Sequence, residues 1–193
     1  APESSEAILD MIASPQIRIV SLTITEGGYN IDKATGEFDL SDPAVQADIA
    51  APLRPATAFG YLAEGLRRRR DRGAGPLTIL SCDNLQHNGC TASKAFMAFF
   101  SAQDPDLAGW AERNVTFPNS MVDRITPATR PEDVERLDAR NGSDDRAPVY
   151  CEDFLEWVVE DDFAAGRPCW EKVGVEFTDD VTAYENMKLS LLN

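Results

Sequence analysis

The sequence predicts an α/β fold in which a doubly wound, mostly parallel sheet alternates with helices. Three observations predict it. Apolar, β-branched runs of strand length occur at "IRIVSLTI" (17–24) and "PLTILSC" (76–82). Helical periodicity fills the intervals around them, and Gly- or Pro-bearing stretches separate the two patterns. Strand, helix, strand, helix in that order favours parallel pairing through crossovers. With 193 residues, 43% of them hydrophobic, the chain suffices for one domain, or one plus part of another, with a genuine core.

Each element has a local reason. "SSEAILDMIASP" predicts a short helix: Ser4 or Ser5 caps it, Ile8, Leu9 and Ile12 share a face, and Pro15 ends it. Residues 17–24 read as a buried strand by their length and branching. "YNIDKATGEFDL" (29–40) reads as a hairpin with its turn at Ala34 to Gly36. A long helix follows near 56–72, with Phe59, Leu62 and Leu66 on one face and Gly73 and Gly75 as its stop. Arg67 to Arg70 fall at its end, where cations suit the helix dipole, and are expected to be solvated. "PLTILSC" is the next strand and "ASKAFMAFFSA" the next helix. "NVTFP" is a short strand and "RPEDVERLDAR" a helix with Pro131 in its first turn. "LEWVVED" and "VEFTD" are further strands, and "YENMKLSLLN" (184–193) is an amphipathic helix. Internal repeats and low-complexity segments are absent. The chain lacks an initiator Met and its final helix lacks a stop signal, so it is expected to be an internal part of a longer chain.

Composition excludes some partners. Lys plus Arg total 18 against 33 for Asp plus Glu, a net charge of −15. That argues against nucleic acid, which wants a basic surface, and favours a soluble, self-repelling cytoplasmic protein. No apolar run reaches the roughly 18 residues of a membrane span. The four cysteines (Cys82, Cys90, Cys151, Cys169) include no C-x-x-C, and His87 is the one histidine, so no metal site of ordinary zinc spacing is expected. Reduced thiols in the core are expected instead of disulfides.

Four stretches carry candidate chemistry. "TEGGY" (25–29) follows a strand, and its two glycines let backbone turn and approach a ligand; a plain hairpin lead-in is the competing reading. "SCDNLQHNG" (81–89) crowds hydrogen-bonding side chains at the end of a strand. That suits a turn and helix cap, but also a site, since ligands of open α/β sheets bind beyond the carboxyl ends of the strands. "FPNSMVDRITP" (117–127) sets Asp123 and Arg124 among apolar residues, as a site or as a surface ion pair. On "YENMKLSLLN", Glu185 lies about 60° and Asn193 about 140° round the helix from Lys188. Such a Lys either snorkels at the surface or, flanked by Glu and Asn, is a candidate general base, because burial favours its neutral form.

Together and in this order, these stretches resemble the polyol-specific long-chain dehydrogenases, the mannitol 2-dehydrogenase-like family with fructuronate reductase and arabinitol dehydrogenase as relatives. The resemblance continues through "EDFLEWVVEDDF" and "GRPCWEKVGVEFTDDV" and spans nearly the whole chain. It implies a Rossmann-like sheet incomplete at its N-terminus, with residues 1–178 the later part of the nucleotide-binding domain. Residues 179–193 would begin a helical substrate domain. It implies hydride transfer between a sugar alcohol such as D-mannitol and a ketose such as D-fructose, with NAD as cofactor, NADP the alternative, and no metal. Lys188 matches the general base, and Asn84 and Asn193 match the amides that hold the reacting oxygen. Glu185 and Glu26 match acidic groups beside the lysine. Asp123, with Val122 and Arg124, matches substrate- and cofactor-binding positions.

The departures matter as much. No G-x-G-x-x-G exists in the chain, so the pyrophosphate has no helix N-terminus of the required kind here. The family's catalytic His would fall just beyond Asn193. Two other readings therefore stand beside the enzyme: a piece inert on its own, and a binding protein that kept the fold without the cofactor loop. Two geometric expectations follow. Residues 17–24 and 77–81 should be neighbouring strands, and the side-chain tips of Asn84, Asp123 and Lys188 should meet within roughly 10 Å, the span of a small pocket.

Overall fold

The computed structural model describes the backbone of residues 2–192 and the side chains of residues 5–190. Among these, helices α1 (Pro2–Ile12), α2 (Pro43–Ala50), α3 (Ala58–Asp71), α4 (Asn88–Gln103), α5 (Pro105–Asn114), α6 (Pro131–Asn141) and α7 (Thr182–Leu192) interleave with the strands. The strands are β1 (Ile19–Leu22), β2 (Leu77–Ser81), β3 (Val115–Thr116), β4 (Ser120–Asp123), β5 (Glu156–Glu160) and β6 (Glu176–Thr178).

The strands form two three-stranded sheets, in the orders β1-β2-β3 and β4-β5-β6. In the first, β1 and β2 run parallel with Val20 opposite Ile79 and Leu22 opposite Ser81, as the sequence predicts. β2 and β3 are also parallel. Every residue of β2 is buried, which suits a continuous apolar run covered on both faces. In the second sheet β4 is antiparallel to β5, and β5 is parallel to β6.

The main core belongs to the first sheet. Phe59, Phe96, Phe99 and Phe100 from α3 and α4 are almost wholly buried with Leu62, Leu66, Leu77 and Ile79. Phe59 lies 4.8 Å from Phe96 and 5.8 Å from Phe99, ring centre to ring centre. The second sheet has a smaller core of Met121, Val158 and Val181, with Tyr184 of α7 packed on it.

Several elements depart from the sequence reading. Helices α2 and α5 fall where none is predicted. Both begin at an Asp-Pro pair: Asp42 accepts N–H bonds from Ala44 and Val45, and Asp104 accepts one from Leu107, each with Pro in the first turn. β4 lies inside "FPNSMVDRITP" (117–127), where the sequence predicts no strand. The hairpin at 29–40 narrows to one antiparallel bridge, Ile31 to Phe38, because Asp32 caps the turn locally through the N–H groups of Ala34 and Thr35. Ser5 lies inside α1 instead of capping it, and its hydroxyl pairs with Tyr61.

The arginine run is not simply solvated. Arg69 is 1% exposed, and its guanidinium donates to the carbonyls of Ile12, Ser14, Ala74, Gly75 and Pro76. The Gly73–Pro76 turn presents three of those carbonyls and the end of α1 with the residues after it the other two, a ring that a rigid planar donor fits. The four thiols are free, but Cys90, Cys151 and Cys169 are exposed and Cys82 is half-buried, so the expectation of core thiols is corrected.

Candidate active site

The site forms where the two sheets meet. β2 ends at Ser81, residues 82–87 turn, and α4 begins at Asn88. Asp83 is nearly buried and fixes this turn to the end of β1: its carboxylate accepts the N–H of Ile24 at 3.2 Å and of Thr25 at 2.7 Å, and the Tyr29 hydroxyl at 2.7 Å. Thr25 is held at φ 66° and ψ 169°, a region that favours glycine, so these bonds offset backbone strain. Burial, above all, pushes the Tyr29 phenol well above its usual range. Burial first, and the Asp83 carboxylate second, push the Cys82 thiol up to about 11.

Next to Asp83, Asn84 stands at the tip of the turn. From the other sheet come Val122 and Asp123 at the end of β4, and from α7 comes Lys188. Its Nζ donates to Asn84 Oδ1 at 2.7 Å and to the Val122 carbonyl at 2.6 Å, with Asp123 Oδ1 at 3.9 Å. The side chain of Lys188 is 14% exposed. Asn84, Val122 and Lys188 line a cavity of about 180 Å3 together with Gln86, Ser120 and Glu185.

Glu185 sits one helical turn before Lys188, so both face the start of α4. Its Oε1 accepts the His87 N–H at 2.8 Å. That N–H opens α4 and has no partner within the helix, so a carboxylate there satisfies an orphan donor and complements the dipole. His87 adopts the left-handed conformation, φ 50°, that lets the turn end there. Oε2 of Glu185 is buried, lacks a hydrogen-bond partner among the described residues, and lies 3.6 Å from His87 Nδ1.

Of the residues singled out from sequence, the structure brings together Asn84, Val122, Asp123, Glu185 and Lys188. It does not bring in Glu26, which is exposed and pairs with Lys33 at 3.1 Å, nor Arg124, which is exposed and donates to the Glu152 carbonyl at 3.0 Å. Both side chains find partners away from the cavity. Asn193 lies outside the described residues. Asp83, Tyr29 and Asn88 are supports that the sequence reading passes over. All three lie inside the quoted motifs; Asn88 opens α4, but no spacing marks Asp83 or Tyr29. No group of three or more His, Cys, Asp or Glu side chains suited to a metal ion occurs among the described residues, and no described helix is long and apolar enough to cross a membrane.

Parallel strands joined by helical crossovers, with a polar cleft at their carboxyl ends, define the Rossmann class of nucleotide-binding α/β domains. Comparison with known proteins agrees. The family model described as the mannitol dehydrogenase Rossmann domain matches residues 1–172. The chain is 55% identical over 193 residues to the polyol:NADP oxidoreductase of Gluconobacter oxydans, covering all of this chain and 40% of that one. It is 53% identical over 187 residues to the mannitol 2-dehydrogenase of Cereibacter sphaeroides, covering 97% and 39%. Among solved structures, the Pseudomonas fluorescens mannitol 2-dehydrogenase ternary complex with NAD and D-mannitol superposes with a TM-score of 0.89 at 52% identity, covering 96% of this chain and 38% of that one. A D-sorbitol dehydrogenase in substrate-free form gives 0.91 at 54% identity, covering 97% and 39%. The chain belongs to the mannitol dehydrogenase family. It spans about two-fifths of the length of these relatives.

Proposed function

We propose that the complete protein is an NAD(P)-dependent polyol dehydrogenase that interconverts a sugar alcohol of the D-mannitol kind and its ketose, with Lys188 as general base. The observation that carries this reading is the seat of the Lys188 nitrogen. A neutral amine has two N–H groups and one lone pair. Asn84 Oδ1 and the Val122 carbonyl lie at 2.7 and 2.6 Å and take both N–H groups. Asp123 at 3.9 Å is beyond hydrogen-bond reach, so the third tetrahedral direction is left to a substrate hydroxyl.

The residues present fit part of a dinucleotide site. The carboxyl end of β2 and the turn after it open on the cavity, and at Gly27, beyond β1, an added Cβ would meet nothing within 4 Å, so backbone there is open to approach. Val122 and Asp123 would border the cofactor's reacting end. When bound, NAD(P) supplies the hydride acceptor for oxidation of a secondary alcohol.

The chain's own residues do the rest. Lys188 takes the hydroxyl proton. The Asn84 NH2 group, which has no partner among the described residues, donates to the same oxygen as charge develops on it. Asn193 is read as the second such amide, Glu185 as the group that relays the lysine's proton, and α7 as the first helix of the substrate domain.

Lys188→Ala in the complete protein tests this. Turnover in polyol oxidation should fall about 10²- to 10⁴-fold with NADH binding retained, because the lost group acts on the hydroxyl proton and not on the dinucleotide. Near-normal oxidation at neutral pH would remove Lys188 from the role.

A further inference from the structure

Behind the two acceptors of Lys188 lies a side chain that touches neither substrate nor lysine. Asn88, the first residue of α4, is wholly buried. Its Oδ1 accepts the N–H of Ser120 at 2.8 Å, and its Nδ2 donates to the carbonyl of the same Ser120 at 2.8 Å. A carboxamide carries one acceptor and one donor face, like a peptide group. Asn88 therefore pairs with Ser120 as a neighbouring strand's peptide would. The same Nδ2 lies 3.0 Å from the Asp83 carbonyl and 3.2 Å from that of Ser81. Ser120 Oγ closes the ring by donating to the Ser81 carbonyl at 2.6 Å.

The consequence is geometric. β2 and β4 belong to different sheets and share no ladder. Asn88 supplies the missing rung at their junction. On one side it holds Asp83, whose neighbour Asn84 offers Oδ1 to Lys188. On the other it holds Ser120, two residues before Val122, whose carbonyl is the lysine's other acceptor. Strand alternation makes Ser120 and Val122 point the same way, so a shift at Ser120 is passed to Val122. Gly89 permits the close approach: a Cβ there would lie 2.4 Å from the Phe117 carbonyl oxygen and 2.5 Å from that of Pro118. Without glycine, α4 could not press its first turn against the segment leading into β4.

We propose that Asn88 is a positioning residue: its carboxamide sets the separation between the Asn84 and Val122 acceptors and thereby the seat of the Lys188 nitrogen. The catalytic consequence rests on the reading of Lys188 as base; the positional claim does not.

The test uses the complete protein with Asn88→Ala, and Ser120→Ala as a milder variant that removes only the Oγ link. Lysine acylation is followed site by site by mass spectrometry. Lys33, whose side chain is 87% exposed, serves as the reference, and Lys94 monitors general loosening. In the parent protein Lys188 should label far more slowly than Lys33. In Asn88→Ala its rate should rise about tenfold relative to Lys33 with Lys94 unchanged, an expected size for local opening of a protected site. Turnover should fall on the order of 10²-fold with the cofactor KM unchanged, the loss typical of a misplacement near 1 Å.

Thr78→Val is the matched control. It removes partly buried hydrogen bonds to Thr116 and Ala164 away from the cavity and should lower stability without moving either readout. Unchanged Lys188 labelling in folded Asn88→Ala overturns the proposal, whatever turnover does. Faster labelling with full turnover upholds the positioning and removes Lys188 from the chemistry. If Asn88→Ala does not fold, Ser120→Ala decides: an increase in Lys188 labelling above the Thr78→Val control supports the proposal, and none overturns it.

Discussion

The two sheets of this molecule are built on different principles. The β1-β2-β3 sheet carries a large core in which Phe59, Phe96, Phe99 and Phe100 are almost entirely excluded from water. The β4-β5-β6 sheet has a smaller cluster of Met121, Val158 and Val181, with Val159 of β5 also buried, while Leu155 and Val173 beside it are 64% and 81% exposed. What the second sheet lacks in apolar burial it replaces with directed polar ties. Glu160 accepts both the side-chain and backbone N–H groups of Asn119, and the Cys90 N–H of α4 donates to Asn119 Oδ1. Arg167 lies over the Phe177 ring and pairs with Asp161 and Glu171. Apolar packing is tolerant of direction, whereas hydrogen bonds fix distance and angle. The lysine seat lies where the two halves meet: Asn84 follows β2 of the first sheet, and Val122 belongs to β4 of the second.

The sharpest way to break this contrast is to remove one buried side chain from each half. Phe96→Ala, which empties the centre of the aromatic cluster, should cost about 3–5 kcal/mol and lower the urea midpoint for the whole chain. Val158→Ala in the second sheet should cost about 1.5–2 kcal/mol. Hydrogen exchange should then show β1 and β2 still protected. Equal losses, or a loss of protection in β2 with Val158→Ala, would mean the halves are one cooperative unit.

A smaller effect separates the arginines of α3. Arg69→Ala strips a ring of carbonyls of their donor and should cost roughly 2–4 kcal/mol in chemical denaturation. Arg70→Ala loses only partly exposed pairs with Asp71 and Asp104 and should cost about 0.5 kcal/mol or less.

The smallest effect is kinetic. Because burial and the Asp83 carboxylate hold the Cys82 thiol near 11, it stays protonated at pH 8, and the thiolate is the reactive form. Cys90, Cys151 and Cys169 are exposed. Alkylation at pH 8 should therefore modify those three well before Cys82, and Cys82 should accelerate as the pH rises towards its shifted value. Early modification of Cys82 would show that the turn after β2 is open and that the site's support is loose.

Much of the architecture was legible in the sequence where periodicity is strong. The strands at 17–24 and 76–82 and the helix near 56–72 follow from apolar spacing, and β1 and β2 pair as expected. α2 and α5 were not read because their apolar faces are short; the Asp-Pro starts were the legible signal and were passed over. β4 hides because its four residues mix polar and apolar on both faces. A run of four arginines states charge and not which member points inward; the carbonyls of the Gly73–Pro76 turn and of Ile12 and Ser14 decide that for Arg69. At the site, the side chains that the structure brings together, Asn84, Val122, Asp123, Glu185 and Lys188, are legible as residue types in order. Asn88, Asp83 and Tyr29 were not, since a buried polar group that only supports another has no spacing rule of its own. Glu26 was placed beside the lysine by motif alone, and a local partner, Lys33, holds it elsewhere.

The central claim is that an amine at position 188, seated against Asn84 and Val122, takes the substrate's proton. It is tested most directly by chemical rescue of Lys188→Ala in the complete protein. Polyol oxidation is measured against the concentration of small primary amines that differ in basicity but not in size. Rescue should be saturable, with a rate that rises with the fraction of free amine and with amine basicity. Folded, cofactor-binding Lys188→Ala whose residual rate is indifferent to every added amine would contradict it.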